Sequence, residues 1–152
     1  MTVDKAEEGL KATRRAIRRG QSLYFRIEDA RDLVRECERN DLAVVGAEGF
    51  SIGENGILPH LDMIADCLAW ANDWYGFDWG GFRNDCNRFM LDFLEEGSGK
   101  RIDGTLVFNF VVMEPGEYDD FSRTHEEARL EHGLVPLDKP RVKRRHEHRA
   151  RI

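Results

Sequence analysis

Apolar and β-branched residues alternate over four short stretches of the chain and predict four strands. The stretches are residues 23–27, 42–52, from near Ile57 to Cys67, and 105–113. The last stretch is apolar on both of its faces, which carry Leu106, Phe108, Phe110 and Val112 on one side and Val107, Val111 and Met113 on the other. This pattern predicts a central strand of a sheet that is covered on both sides, or nearly so.

A hairpin is predicted between the second and third strands. The Asn55-Gly56 pair lies between them, and both residues accept the positive φ that a type I′ turn needs. Residues 58–68 are ambiguous, because Leu61, Ile64 and Leu68 also have helical spacing. We favour a strand, since residues 42–52 need a partner in the hairpin.

Four segments show helical patterns. A thin apolar stripe, Val3, Leu10 and Ile17, predicts a helix over residues 3–19 that ends at Gly20. A second helix opens at Glu28 and Asp29 and buries the face formed by Ala30, Leu33, Val34 and Cys37 before it stops near Asn40. A third buries Phe82, Cys86, Phe89, Met90, Phe93 and Leu94 and ends at residues 97–99.

The last helix is predicted to start at a capping box formed by Thr124 and Glu127 and to end at Gly133. The resulting order predicts an α+β fold with one small domain over residues 1–137, a βαββαβ-like sheet and flanking N- and C-terminal helices. This order is typical of ferredoxin-like domains. Barstar-like and irregular α/β arrangements remain open. Residues 138–152 are basic, lack apolar periodicity and are predicted to be a disordered tail.

The charge is distributed unevenly along the chain. Of the net charge of −6, residues 138–152 contribute +5 and residues 1–19 contribute +3, so residues 20–137 carry −14. An acidic body repels nucleic acid and suits a basic protein partner. The basic tail is the part that we expect to contact nucleic acid, if any part does.

Cysteine usage and the absence of targeting patterns indicate the cytoplasm. The chain has an odd number of cysteines, and none of them shows C-x-x-C spacing: Cys37, Cys67 and Cys86. We therefore expect free buried thiols in a reducing compartment. The longest apolar run, residues 106–113, is too short to cross a bilayer, and no secretory signal is recognisable, so no membrane partner is expected.

No motif indicates a catalytic site, and we expect neither a catalytic residue nor a cofactor. His60, Asp62 and Asp66 alternate on one face of the third strand if that strand is correct. They are the best candidates for metal binding, but no second ligand cluster accompanies them. Gly46 and Gly49 enclose Glu48 in a G-x-x-G, which we interpret as a bulge or turn, because a carboxylate would repel a bound phosphate.

Residues 70–81 hold all three tryptophans and show no clean period, so the sequence predicts a loop. Aromatic rings and interleaved carboxylates suit an interface with a basic protein. We expect Trp74 and Trp79 to be substantially exposed, although rings that simply fill the core are the alternative. The predicted partner-binding residues are Trp70, Asp73, Trp74, Tyr75, Asp78 and Trp79, with Glu48 as a further candidate.

The chain resembles the small immunity proteins of bacterial polymorphic toxin systems, over roughly residues 20–115. The resemblance rests on the small acidic α/β character, on the run from Leu42 to Phe50 with the hairpin that follows, and on the acidic stretch with Asp62 and Asp66. It implies a non-enzymatic inhibitor of bacterial or phage origin that masks a basic toxin or nuclease. The alternatives are a small metal-dependent enzyme using His60, Asp62 and Asp66, and a nucleic-acid-associated regulator acting through the basic tail.

Overall fold

The computed structural model describes residues 9–100 and 105–133, without the side chains of residues 72, 73 and 98–100. Five strands form one sheet: β1 (Ile17–Arg19), β2 (Ser22–Arg26), β3 (Ala43–Gly53), β4 (Gly56–Asp66) and β5 (Leu106–Met113). Their spatial order is β1-β2-β5-β3-β4, and all neighbouring strands are antiparallel. The structure confirms the α+β class and the predicted β-α-β-β-α-β order.

Four helices accompany the sheet: α1 (Ile27–Arg39), α2 (Leu68–Trp70), α3 (Trp79–Lys100) and α4 (Pro115–His132). A 3₁₀ helix (Lys11–Arg15) precedes β1, and a π-helical turn (Ala71–Tyr75) continues α2. The predicted inner face of α1 is fully buried, as is most of the predicted face of α3. Helices α1 and α3 pack against each other and against the same side of the sheet, so the core lies between them and the strands.

The predicted N-terminal helix over residues 3–19 is wrong at its C-terminal end. Ile17–Arg19 is strand β1, and it pairs with β2 through a tight turn in which Gly20 has a φ of 59°. Residues 1–8 lie outside the described residues, as do residues 138–152, for which a tail is predicted. The seven-residue spacing of three apolar residues was too sparse to distinguish a helix from a hairpin.

The hairpin β3–β4 is confirmed, and residues 56–66 form a strand. The turn differs from the prediction, because Glu54 and Asn55 are its central residues and only Gly56 has a positive φ, at 122°. Strand β3 carries the predicted irregularities: the register shifts between Val44 and Gly46 against β5, and between Glu48 and Gly49 against β4.

Two helix boundaries differ from the predicted ones. Helix α3 continues through the buried Gly97 to Lys100 and does not end at residues 97–99. Helix α4 begins at Pro115, with a capping box formed by Glu114 and Glu117. The predicted cap residue, Thr124, instead lies within α4, while the predicted end at Gly133 is confirmed.

Candidate protein-binding surfaces

Residues 70–81 are largely helical, so the predicted loop is wrong. Trp70 and Trp74 lie one turn apart and form a ring cluster with Phe89 of α3. The Trp70 ring centroid is 6.3 Å from that of Trp74 and 5.0 Å from that of Phe89. Both tryptophans are partly buried and pack against the core. The expectation that Trp74 is substantially exposed is therefore wrong, because the helical turn places its ring beside Trp70.

Tyr75 is buried and joins the π-helical turn to α3. Its hydroxyl donates a hydrogen bond to Asp85 Oδ2 at 2.6 Å, and its ring packs against Phe82 at 5.7 Å. Burial, together with the Asp85 carboxylate, raises the pKa of Tyr75. The phenol stays protonated, and a side chain with 5% exposure offers a partner little surface.

Trp79 is held in place by a polar network at the start of α3. Its indole N–H donates to Asp41 Oδ1 at 2.8 Å, and Arg83 Nη1 donates to the same oxygen at 2.6 Å. The hydrogen bond from Trp79, together with that from Arg83, holds the pKa of Asp41 below its ordinary value. Trp79 is partly buried and contacts Tyr118 at 5.4 Å, so the expected substantial exposure is again wrong.

Asp78 and Phe77 are the exposed side chains at the tip of this segment. Asp78 Oδ1 accepts a hydrogen bond from the Gly81 N–H at 3.1 Å and thereby caps the first turn of α3. Phe77 is 58% exposed and follows Gly76, whose φ of 53° turns the chain outward. Phe77 was not among the predicted contact residues, and its exposure depends on a turn that aromatic content alone does not indicate. The side chain of Asp73 lies outside the described residues.

The opposite face of the sheet presents a second surface. Helices α1 and α3 cover one face, whereas the other face leaves side chains of β3, β4 and β5 exposed. Ile64 and Val111 on this open face are 52% and 45% exposed. Strand β5 is a central strand, as expected, and Val107 and Met113 on this second face are buried, so the face is open around Val111.

A groove of about 250 Å³ crosses this open face where β3 is irregular. Gly46 pairs with Val111 of β5 on one side and with Asp66 of β4 on the other, and it leaves the middle of the groove without a side chain. The residues that line it are Val45, Gly46, Ala47, Glu48, Ile64, Ala65, Asp66, Leu68, Asn109 and Val111. The floor is therefore mainly apolar, and two carboxylates stand at its rim.

The two rim carboxylates are Glu48 and Asp66, both exposed. Glu48 pairs across the strands with Ile64, and Asp66 with Gly46, so the two acids are diagonal neighbours on one face. Asp66 Oδ1 accepts a hydrogen bond from the Leu68 N–H at 2.8 Å. Neither acid forms an ion pair with another described residue, so both charges are available to a partner.

The structure separates the predicted metal-binding residues. Leu61, Asp62 and Met63 form an insertion in β4 between the pairs Ile64–Glu48 and His60–Gly49. As a result, His60 contacts Ser51 on the side of the helices, while Asp66 lies on the open face. Among the described residues, no group of three or more histidine, cysteine or acidic side chains is placed to hold a metal ion.

The predicted contact residues thus belong to two surfaces. Glu48 lies on the open face of the sheet, whereas Trp70, Trp74 and Trp79 pack on the side of α3. The groove around Gly46 was not predicted, because it depends on which face of the sheet the helices leave open. Its only signal in the sequence was the G-x-x-G that contains Glu48.

Comparison of the chain with models of known protein families and with curated proteins found no match. Within residues 9–100 and 105–133, no helix combines the length and the apolar character that a membrane span requires.

Proposed function

We propose that this protein is a non-enzymatic inhibitor of the immunity or antitoxin type, which binds a basic toxin or nuclease and masks it. The observation that carries the proposal is the open sheet face, where half-exposed apolar side chains stand beside two carboxylates without ion-pair partners among the described residues. An apolar patch rimmed by charge is typical of a protein-binding surface.

The charge distribution supports a basic partner. Residues 20–137 carry −14, and Glu48, Glu54 and Asp66 are exposed on the β3–β4 hairpin. Complementary charge accelerates the encounter of two proteins and selects against acidic competitors, including nucleic acid. Rapid association is useful to an inhibitor that must capture a toxin before it reaches its target.

The aromatic segment supplies further candidate contacts. Trp70, Trp74 and Trp79 keep part of their surface accessible, and Phe77 is exposed beside them. Tryptophan anchors contribute strongly to binding where a partner covers them. These residues remain predicted contacts, and Tyr75 is the least accessible of the predicted contact residues whose side chains the structure describes.

The test is capture of the partner followed by an inhibition assay. The full-length chain is immobilised and exposed to a lysate of its native host, and any stoichiometric basic protein is identified by mass spectrometry. The captured protein is then produced alone, and its toxic or nuclease activity is titrated with the purified chain. We expect activity to fall to zero at one equivalent. A captured protein whose activity is unchanged by the chain would refute the proposal.

A further inference from the structure

We infer that the groove at Gly46 receives a single lysine or arginine side chain of the basic protein partner, with its charged end held between Glu48 and Asp66. This inference rests on the proposed function and specifies where the partner binds and which of its groups is recognised. It is carried by the shape of the groove, by its apolar floor and by the position of its two carboxylates.

The shape of the groove depends on Gly46, and this glycine differs from its neighbour Gly49. A Cβ at Gly49 would lie 2.8 Å from Met63 Cβ, so glycine is required there for packing. A Cβ at Gly46 would meet Val111 Cβ at 3.5 Å, which is ordinary van der Waals contact. The fold therefore tolerates a side chain at Gly46, and the space above it is open to a ligand.

The chemistry of the groove matches a long cationic side chain. Such side chains place their methylene stem along apolar surface and keep the charge at a polar rim. Ile64 and Val111 provide exposed apolar surface for the stem. Glu48 and Asp66 are diagonal neighbours on the same sheet face, with a spacing of roughly 7 Å. A cation between them would interact with both carboxylates and would reduce their mutual repulsion.

Charge also selects the class of occupant. Phosphate groups of nucleic acid or of anionic lipid would face two carboxylates without a basic residue in the lining. A second copy of this chain is the competing occupant, because Arg18, Arg19 and Arg26 are exposed on β1 and β2. We favour a separate basic protein, since residues 20–137 are strongly acidic and two copies would repel each other.

The direct probe is a short peptide, acetyl-Gly-Arg-Gly-amide, titrated into the full-length protein and followed by amide chemical shifts in NMR spectra. The matched probe carries citrulline, which has nearly the shape of arginine without its charge. We expect saturable shifts at Gly46, Glu48, Ile64, Asp66 and Val111 with the arginine peptide, and at least tenfold weaker binding of the citrulline peptide. Equal affinities, or shifts spread over the whole surface, would overturn the inference.

Variants then test the two parts of the groove separately. Glu48→Gln with Asp66→Asn removes the charges but keeps the oxygen that caps Leu68, and Gly46→Val fills the open space. We expect each change to weaken binding of the arginine peptide at least tenfold, while the shift dispersion of a folded protein is retained. The control, Glu54→Gln with Glu127→Gln, removes the same charge at exposed positions away from the groove and should bind like the wild type.

The same variants distinguish failure of the inference from failure of the proposed function. If the wild type captures and inhibits a basic protein and the Glu48→Gln, Asp66→Asn protein does so equally well, the function stands and the groove assignment is wrong. If the wild type inhibits nothing it captures, the function is wrong, whatever the peptide does. A wild-type dimer in light scattering that dissociates in the groove variants would assign the groove to a second copy and overturn the inference.

Discussion

Asp41 occupies a backbone position that usually belongs to glycine. Its φ of 59° lies in the left-handed region, directly after the end of α1. A residue with a Cβ in this conformation lowers the free energy of unfolding by about 1 kcal/mol relative to glycine. The carboxylate offsets this cost because it accepts hydrogen bonds from Trp79 and Arg83. One side chain thereby fixes the end of α1, the start of α3 and the orientation of a predicted contact residue.

Asp41→Asn should weaken this junction in a pH-dependent manner. Asparagine tolerates the left-handed region and can still accept from Trp79, but it loses the charge that faces Arg83. At about pH 7 we expect a loss of less than about 1 kcal/mol, since the pair is partly exposed. The folded-state pKa of Asp41 is lowered, so its stabilisation is present above the unfolded pKa and is lost as the pH falls through the folded pKa.

Urea unfolding of the wild type and Asp41→Asn at about pH 7 and about pH 3 measures this effect. The deficit of the variant should be smaller at the lower pH. A deficit that is independent of pH would show that the charge of Asp41 contributes nothing and that the conformational preference alone decides the position.

At the scale of elements, the side chain of Asn87 in α3 connects the helical layer to the sheet by hydrogen bonds. Its Oδ1 accepts from the Val44 N–H at 2.8 Å, and its Nδ2 donates to the Leu42 carbonyl at 2.9 Å and to Glu38 Oε2 at 2.6 Å. The side chain is 3% exposed, so these groups have little access to water. Helix α3 is thereby tied to the start of β3 and to the end of α1.

Asn87→Ala should therefore destabilise the protein strongly. It leaves the Val44 N–H without its buried partner and removes the donor to Leu42, and we expect a loss of about 2–3 kcal/mol in the free energy of unfolding. Asn84→Ala is the matched control, because Asn84 is exposed, donates one long hydrogen bond of 3.4 Å to Glu38 and accepts one of 3.1 Å from Arg88 at the surface. Its cost should stay within about 0.5 kcal/mol. Similar losses for both variants, measured by urea unfolding, would contradict this account.

The observed start of α4 at Pro115, which differs from the predicted start at Thr124, can be tested by mutation. Glu114→Ala removes one half of the observed capping box, and we expect amide exchange in the first turns of α4 to become roughly fivefold faster, equivalent to about 1 kcal/mol. Thr124→Ala is the comparison, since the Thr124 hydroxyl only donates to the Asp120 carbonyl within the helix. If Thr124→Ala has the larger effect, the helix begins where the sequence pattern placed it.

Elements with dense periodic patterns could be predicted from the sequence. The buried face of α1 and the central strand β5 follow from regular apolar spacing, and the β3–β4 hairpin follows from the Asn55-Gly56 pair. The 70–81 segment could not be predicted, because a π-helical turn and the break at Gly76 disrupt the period of its rings. Capping by Glu114 was missed since glutamate is not a usual cap residue.

The candidate surfaces were less predictable than the elements. Glu48 was recognised by its position between two glycines, but the face on which it lies depends on where α1 and α3 pack. The exposure of Ile64 and Val111 follows from the same long-range packing. Partial burial of the tryptophans also depends on partners distant in sequence, such as Asp41 for Trp79.

At the scale of the whole molecule, buried thiol and phenol groups make the stability of the fold sensitive to high pH. Burial raises the pKa of the Cys37 thiol and of the Tyr118 hydroxyl to about 12, and it also raises the pKa of Cys86. Their folded-state pKa values exceed the unfolded ones, so their contribution is complete below the unfolded pKa and is lost as the pH rises toward the folded one. Stability should fall above about pH 9.

Cys37→Ala isolates one of these contributions. The variant begins less stable because it leaves a small cavity, but its stability should fall less steeply between about pH 8 and about pH 10.5. The expected difference in slope approaches about 1.4 kcal/mol per pH unit above the unfolded pKa of the thiol. Parallel stability curves for the two proteins, determined by urea unfolding, would mean that Cys37 ionises equally in the folded and unfolded states.

Strand β4 forms one edge of the sheet over eleven residues, from Gly56 to Asp66. An edge of this length normally exposes enough unpaired backbone N–H and C=O groups for another chain to add a strand and extend the sheet. Pro59 lacks the N–H that such an addition requires, and the insertion at residues 61–63 interrupts the register. The edge is therefore a poor template for polymerisation or fibril growth, and recognition at this end of the molecule must proceed through side chains rather than through a shared backbone ladder.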